Sequence, residues 1–119
     1  MAIKNANQEV LMMAMNALML DMKGTRVNVI PIWGRNTENV LFGIQAPTMI
    51  KGYGVTLSKD GVITVVGDSY GQRFMQREFV AKVNHFYKTA AVIKALQNLN
   101  YRTQVKVENK KALIEGALN

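Results

Sequence analysis

The chain has 119 residues, with 15 lysine and arginine residues against 8 aspartate and glutamate residues. Its apolar content of 49% excludes a charge-dominated disordered chain, and its length fits one compact domain. The lack of cysteine excludes disulfides, thiolate metal sites and a cysteine nucleophile. It is also compatible with a reducing compartment, and we expect a cytoplasmic location.

The first predicted element is a helix from about Asn5 to Met22, with Lys23-Gly24 as its stop. Its apolar run, VLMMAMNALML, is too short to span a membrane, which takes roughly 20 apolar residues, and it lacks the flanks of a signal peptide. We therefore expect no membrane partner. Apolar side chains surround this helix, which is typical of a helix buried on more than one side.

One side of this helix can pack on a sheet, and a monomer would leave the other side exposed as a large apolar patch. We therefore expect a homo-oligomer that associates through the first helix. The predicted self-association residues are Leu11, Met12, Met15, Leu18 and Met19. On this interpretation, replacing both Met15 and Met19 with glutamate should leave a folded monomer.

Four strands are predicted after the helix. The first, Thr25 to Trp33, contains Pro31, which cannot donate a ladder hydrogen bond and so places the strand at an edge or breaks it. The others are predicted over residues 39–46, 51–57 and 62–66. Asp60-Gly61, between the last two, is a strong hairpin signal.

The second helix is predicted from Gln72 to about Asn98. Its apolar stripe consists of Phe79, Val83, Phe86, Ala90 and Ile93. A final strand is predicted from Tyr101 to Val107, and residues 108–111 can turn it into a short second strand from Ala112 to Glu115. This order predicts a single α+β domain over residues 1–119, with a mainly antiparallel sheet packed by two helices.

Few residues could support catalysis. Of the two serines, Ser58 lies outside any Gly-x-Ser-x-Gly pattern. Ser69 matches that pattern between Gly67 and Gly71, but the single histidine, His85, lies within the second helix. The carboxylates are scattered along the chain rather than clustered as metal ligands are. We therefore predict no catalytic, metal or cofactor-binding residues and a protein that is not an enzyme. An enzyme built around Asp68 and His85 is the least favoured alternative.

A glycine-framed loop, Gly67-Asp68-Ser69-Tyr70-Gly71, precedes the second helix. Its backbone N–H groups could bind a phosphate, or its glycines could allow a sharp bend with Asp68 or Ser69 capping the helix. The spacing matches neither the P-loop nor the dinucleotide fingerprint, so the structural interpretation is preferred. Asp68 and Tyr70 remain candidate site residues, because the sheet opens into a helix at this point.

The basic excess indicates nucleic acid, another acidic partner or an anionic membrane surface. The membrane surface is the least favoured of the three, because the apolar first helix lacks a basic opposite face. Arg73, Arg77 and Lys88 fall on one face of the predicted helix and could contact phosphates, joined by Lys51, Lys59 or Arg102 if the fold brings them near. No RNA-recognition aromatic motif, GXXG loop or zinc knuckle is present.

The favoured function is a small basic interaction or adaptor protein that self-associates and binds a protein partner. The alternative is a nucleic-acid-binding accessory factor that uses the basic helix face.

Several short segments are similar to one known family. They are YGVTLSKDG over Tyr53–Gly61, VVGDSYG over Val65–Gly71, then Phe79, Val83-Asn84 and Tyr87, and finally Leu99-Asn100-Tyr101. On these residues the chain resembles the ycf thirty-five family of plastid and cyanobacterial reading frames, which is also present in bacteria and phages. The resemblance implies a small α+β domain. It implies no particular activity, and because some relatives' genes lie beside ATPase modules it favours an adaptor or assembly role.

Overall fold

The structure, a computed structural model, describes residues 5–34 and 36–99. The elements are α1 (Gln8–Asp21), β1 (Thr25–Pro31), β2 (Thr37–Ala46), β3 (Met49–Leu57), β4 (Ile63–Val66) and α2 (Gln76–Asn98). The predicted α+β class and the order of these six elements are confirmed. The strands predicted at Tyr101–Val107 and Ala112–Glu115 lie outside the described residues.

Side chains and backbone turns define both ends of α1. At its start, the Asn7 side-chain oxygen accepts a hydrogen bond from the Val10 N–H at 3.2 Å. At its end, Lys23 adopts a left-handed φ of 55° and the Gly24 N–H donates to the Met19 carbonyl, which closes a Schellman turn. The predicted stop at Lys23-Gly24 is therefore confirmed.

The four strands form one antiparallel sheet in the order β1-β2-β3-β4, in which each strand pairs with its neighbour in the chain. β1 lies at an edge, as Pro31 predicted, although it ends at that residue rather than at Trp33. The Asp60-Gly61 turn joins β3 to β4, with Gly61 at a φ of 77°. The hairpin signal therefore identified the correct pair of strands.

The core lies between the sheet and the two helices. Its fully buried large side chains are Leu11, Met15 and Leu18 of α1, Phe42, Ile44, Met49, Tyr53, Val55 and Ile63 of the sheet, and Phe79 and Val83 of α2. The rings of Tyr53 and Phe79 stack at a tilt, with their centroids 5.2 Å apart. Two ion pairs, Glu9–Lys94 and Asp21–Lys82, join the helices and show that they run antiparallel.

On the opposite face of the sheet, aliphatic side chains of the strands pack over two paired glycines. Gly43 and Gly54 are directly paired across β2 and β3, on the face that alternates with the core side chains. A Cβ at Gly43 would meet Val27 and Ile30, and a Cβ at Gly54 would meet Val40, all within 3.0 Å. Neighbouring aliphatic side chains therefore fill the space that side chains at the two glycines would take.

Two predictions for α2 need correction. The helix begins at Gln76 rather than Gln72, because residues 67–75 form a loop fastened to β3. In the buried stripe, Tyr87 takes the place predicted for Phe86, which is half-buried. The physical reason is α1: the Tyr87 hydroxyl turns toward it and accepts a hydrogen bond from the Asn7 N–H at 2.8 Å.

Candidate functional site

The loop over residues 67–75 is held against the turn between β2 and β3. The Phe74 N–H donates to the Thr48 carbonyl at 3.0 Å. The hydroxyl of the buried Tyr53 donates to the Phe74 carbonyl at 2.6 Å. These bonds tie the loop both to the neighbouring turn and to the core.

Gln72 fastens the middle of this loop to β3. Its Oε1 accepts hydrogen bonds from the backbone N–H groups of Lys51 and Gly52, at 3.0 and 2.9 Å, and its Nε2 donates to the Asp68 carbonyl at 2.7 Å. Gln72 is the one buried polar side chain in the part of the chain that the structure describes. Sequence reasoning missed it because a glutamine that continues a helical pattern carries no signal of burial.

Asp68 and Ser69 shape the loop, as the structural interpretation expects. The Asp68 Oδ1 accepts from the Tyr70 N–H at 3.0 Å, which makes a local Asx-type turn. The Ser69 Oγ accepts from the N–H of Gln76, the first residue of α2, at 2.9 Å. Because Met75 at the N-cap position makes no side-chain capping bond, Ser69 caps the helix from within the loop.

The outer side of this region carries exposed apolar and basic groups. Tyr70 is 73% exposed and Ile50 is 70% exposed. The Lys51 ammonium donates to the Tyr70 carbonyl at 2.8 Å and lies 5.3 Å from the centroid of its ring. An open depression beside them is lined in part by Pro47, Ile50 and Arg73. We call Pro47, Ile50, Lys51, Tyr70 and Arg73 the loop surface.

The three basic residues predicted to share a helix face are divided by the structure. Arg77 and Lys88 are both exposed on α2, about three turns apart, or roughly 16 Å along the axis. Arg73 precedes the helix and belongs to the loop surface, so its placement on a helix face was wrong. The fold instead brings the loop that carries Arg73 next to Lys51. The sequence analysis expected Lys51 to join the basic contacts if the fold placed it nearby.

The predicted self-association residues of α1 are mostly internal. Leu11, Met15 and Leu18 are fully buried, and Met12 and Met19 are half-buried against the same core. The sheet covers one side of α1 and α2 covers another, so these side chains need no second copy to bury them. Their assignment to an external surface is corrected, while the oligomeric state stays a prediction.

The residues of the enzyme alternative lie apart. His85 is exposed on α2, roughly 14 Å along the axis from the first helical residue, with its ring edge-on to Phe86. Asp68 precedes the helix and accepts the hydrogen bond of its own turn.

Among residues 5–34 and 36–99, no cluster of three or more histidine, aspartate or glutamate residues could hold a metal ion. Within the same residues, no helix is both long and apolar enough to cross a membrane.

Comparisons with protein-family models, curated proteins and solved structures found no match. The resemblance to the ycf thirty-five family therefore stays a prediction.

Replacing Gln72 with alanine should destabilise the protein by about 2 kcal/mol, because it leaves the backbone N–H groups that it binds without their partner. Urea denaturation would measure this change. Cleavage by trypsin after Arg73 should also become faster, since the loop loses its attachment to β3. The matched control is Gln97→Ala, at an exposed position of α2, which should change stability by less than about 0.5 kcal/mol. Equal stabilities for the two variants would contradict the structural role of Gln72.

Proposed function

We propose that the protein is a non-enzymatic interaction protein that binds an acidic partner through the loop surface. The observation that supports this most directly is the exposure of Tyr70 and Ile50 beside Lys51, next to the depression that Arg73 lines. Tyrosine and arginine are the residue types that most often dominate binding energy at interfaces. A cationic surface with an exposed aromatic ring suits a partner that offers negative charge together with apolar groups.

Preorganisation supports the same proposal. Gln72 fastens the loop to β3, Asp68 fixes the turn at Tyr70, and Lys51 holds the Tyr70 carbonyl. A surface already fixed in this way loses little conformational entropy on binding, so more of the contact energy remains as affinity. Surface loops that must order themselves would lack this advantage.

The charge balance favours an acidic partner. The whole chain carries a net charge of +7, and nine lysine and arginine residues against six acidic residues lie among the described positions. No ion pair to Lys51 or Arg73 occurs within the described chain. Their charges therefore remain available, and the overall field would attract a polyanion at low salt.

Charge-only probes test this proposal. Binding of fluorescent polyglutamate and of inorganic polyphosphate would be measured at about 50 mM salt and again at about 200 mM salt. Arg73→Gln should weaken binding of both probes by roughly two- to fivefold, the effect of one exposed charge contact. Lys88→Gln, which removes the same charge from α2, is the matched control and should have a smaller effect.

Asp68→Asn provides a test in the opposite direction. The asparagine oxygen can still accept from the Tyr70 N–H, so the turn is kept while a negative charge beside the loop surface is removed. Polyanion binding should become tighter. If Lys88→Gln weakens binding more than Arg73→Gln does, and Asp68→Asn has no effect, the loop surface is the wrong location.

A further inference from the structure

We infer that the acidic partner of the loop surface is single-stranded nucleic acid, with one base stacked on Tyr70 and adjacent phosphates held by Lys51 and Arg73. This inference rests on the proposed function, whose location it shares. It adds the chemical class of the ligand and assigns a different role to each side chain.

The Tyr70 ring has the properties of a stacking platform. It is 73% exposed, while its backbone is fixed on both sides: the N–H donates to Asp68 and the carbonyl accepts from Lys51. The Lys51 ammonium lies over one face of the ring, so the opposite face is the one on which a base would stack. Bases of any sequence can stack on such a face.

One cation, Lys51, lies at the Tyr70 ring, and a second, Arg73, lines the depression beside the same loop. The Lys51 ammonium is 5.3 Å from the ring centroid, and a lysine ammonium has three N–H donors, of which the Tyr70 carbonyl takes one. Arg73 is exposed at the depression near the same loop. A base stacked on Tyr70 would thus have a positive charge nearby, which can neutralise the phosphates of the nucleic acid.

The geometry also favours single strands over duplexes. In a duplex the faces of the bases are covered by their neighbours, whereas in a single strand they can turn outward and stack on protein rings. Sequence preference should be weak, because the amide of Gln72 is already bonded to Lys51, Gly52 and Asp68 and cannot read the edge of a base. An acidic protein could use the same cations and pack apolar groups on Tyr70, but that contact would not require a planar ring as the stacking of a base does.

The experiment compares probes that share charge but differ in bases. Fluorescence anisotropy would measure binding of a labelled oligothymidylate of about 12 nucleotides, a typical size for one binding site, and of the same sequence as a duplex. Inorganic polyphosphate and polyglutamate serve as the probes without bases. We expect the oligothymidylate to bind more tightly than either base-free probe and more tightly than the duplex, with affinity falling steeply as salt rises.

Tyr70 variants separate stacking from apolar contact. Tyr70→Leu should weaken oligothymidylate binding about tenfold, the loss expected for one stacked base, and change polyphosphate binding less than about twofold. Tyr70→Phe keeps the ring and should bind nearly as the unaltered protein does. Both variants change an exposed side chain, and circular dichroism would verify that they are folded.

The possible failures can be told apart. Equal oligothymidylate binding by Tyr70→Leu and the unaltered protein, or equal binding of oligothymidylate and polyphosphate, would overturn the nucleic-acid assignment. If polyglutamate binding still depends on Arg73 in that case, the proposed function stands with an acidic protein as partner. If no probe depends on Arg73, both the proposed function and this inference are wrong.

Discussion

A glutamate in place of Met15 should unfold the protein at neutral pH. Met15 is fully buried in α1, within the cluster that joins both helices to the sheet. Removing a core methionine side chain alone costs about 2–5 kcal/mol. The introduced carboxylate would add the cost of burying a charge without a partner. Together these losses are comparable to the whole stability of a small domain, about 5–15 kcal/mol.

Circular dichroism in urea would measure the effect, with two control variants. Leu20→Glu makes the same kind of change in the same helix at a position that is 67% exposed, and should cost less than about 1 kcal/mol. Met15→Leu keeps the volume and apolar character and should cost less than about 1.5 kcal/mol. If Met15→Glu instead gave a stable folded monomer, the burial of Met15 would be contradicted and α1 would return as an association surface.

The sequence alone predicts the opposite result, a folded monomer after glutamate substitution in the first helix. The sequence shows that α1 is apolar on all sides, and periodicity predicts burial on more than one side. It does not show what supplies the second cover. In the fold that cover is α2, which is distant in sequence and is joined to α1 by the Glu9–Lys94 and Asp21–Lys82 ion pairs. For the buried residues of α1, a helix within the chain therefore supplies the cover that the sequence analysis assigned to a second copy, while the oligomeric state itself stays a prediction.

Local signals predicted the sheet better than they predicted the site. Pro31 and Asp60-Gly61 act through their own backbone geometry, so the edge strand and the hairpin were identified correctly. The start of α2 was missed because the helical pattern continues upstream through Gln72. The helix starts later because Gln72 bonds to β3, the Phe74 N–H bonds to Thr48 and Ser69 caps Gln76. Such contacts depend on the tertiary fold.

The candidate site was only partly predicted, because it too depends on tertiary contacts. Tyr70 and Asp68 were identified because glycines frame their loop, and Arg73 because of its charge. The pairing of Tyr70 with Lys51 joins residues 19 positions apart and depends on how the loop crosses the start of β3. Sequence patterns report the neighbours of a residue along one element, so they could not place these two side chains together.

Replacing Gly52 with alanine should destabilise the protein by about 3 kcal/mol, through two separate costs. Gly52 has a φ of 84°, a conformation that costs a residue with a side chain roughly 1–2 kcal/mol. An added Cβ would also lie 2.6 Å from the Ile44 carbonyl oxygen in β2, so the backbone would have to move. Gly34→Ala is the matched control, because Gly34 has a φ of 75° and nothing within 4 Å of an added Cβ.

Urea denaturation gives the free energy of unfolding of each alanine variant. The difference between the two values isolates the cost of the close approach between β2 and β3. Gly34→Ala should lose about 1 kcal/mol, the conformational cost alone. Because the Gly52 N–H is also a donor to Gln72, a shift at Gly52 should loosen the loop and weaken oligothymidylate binding as well. Equal destabilisation by the two substitutions would contradict the close approach. Unchanged binding by Gly52→Ala would show that the loop surface does not depend on its attachment to β3.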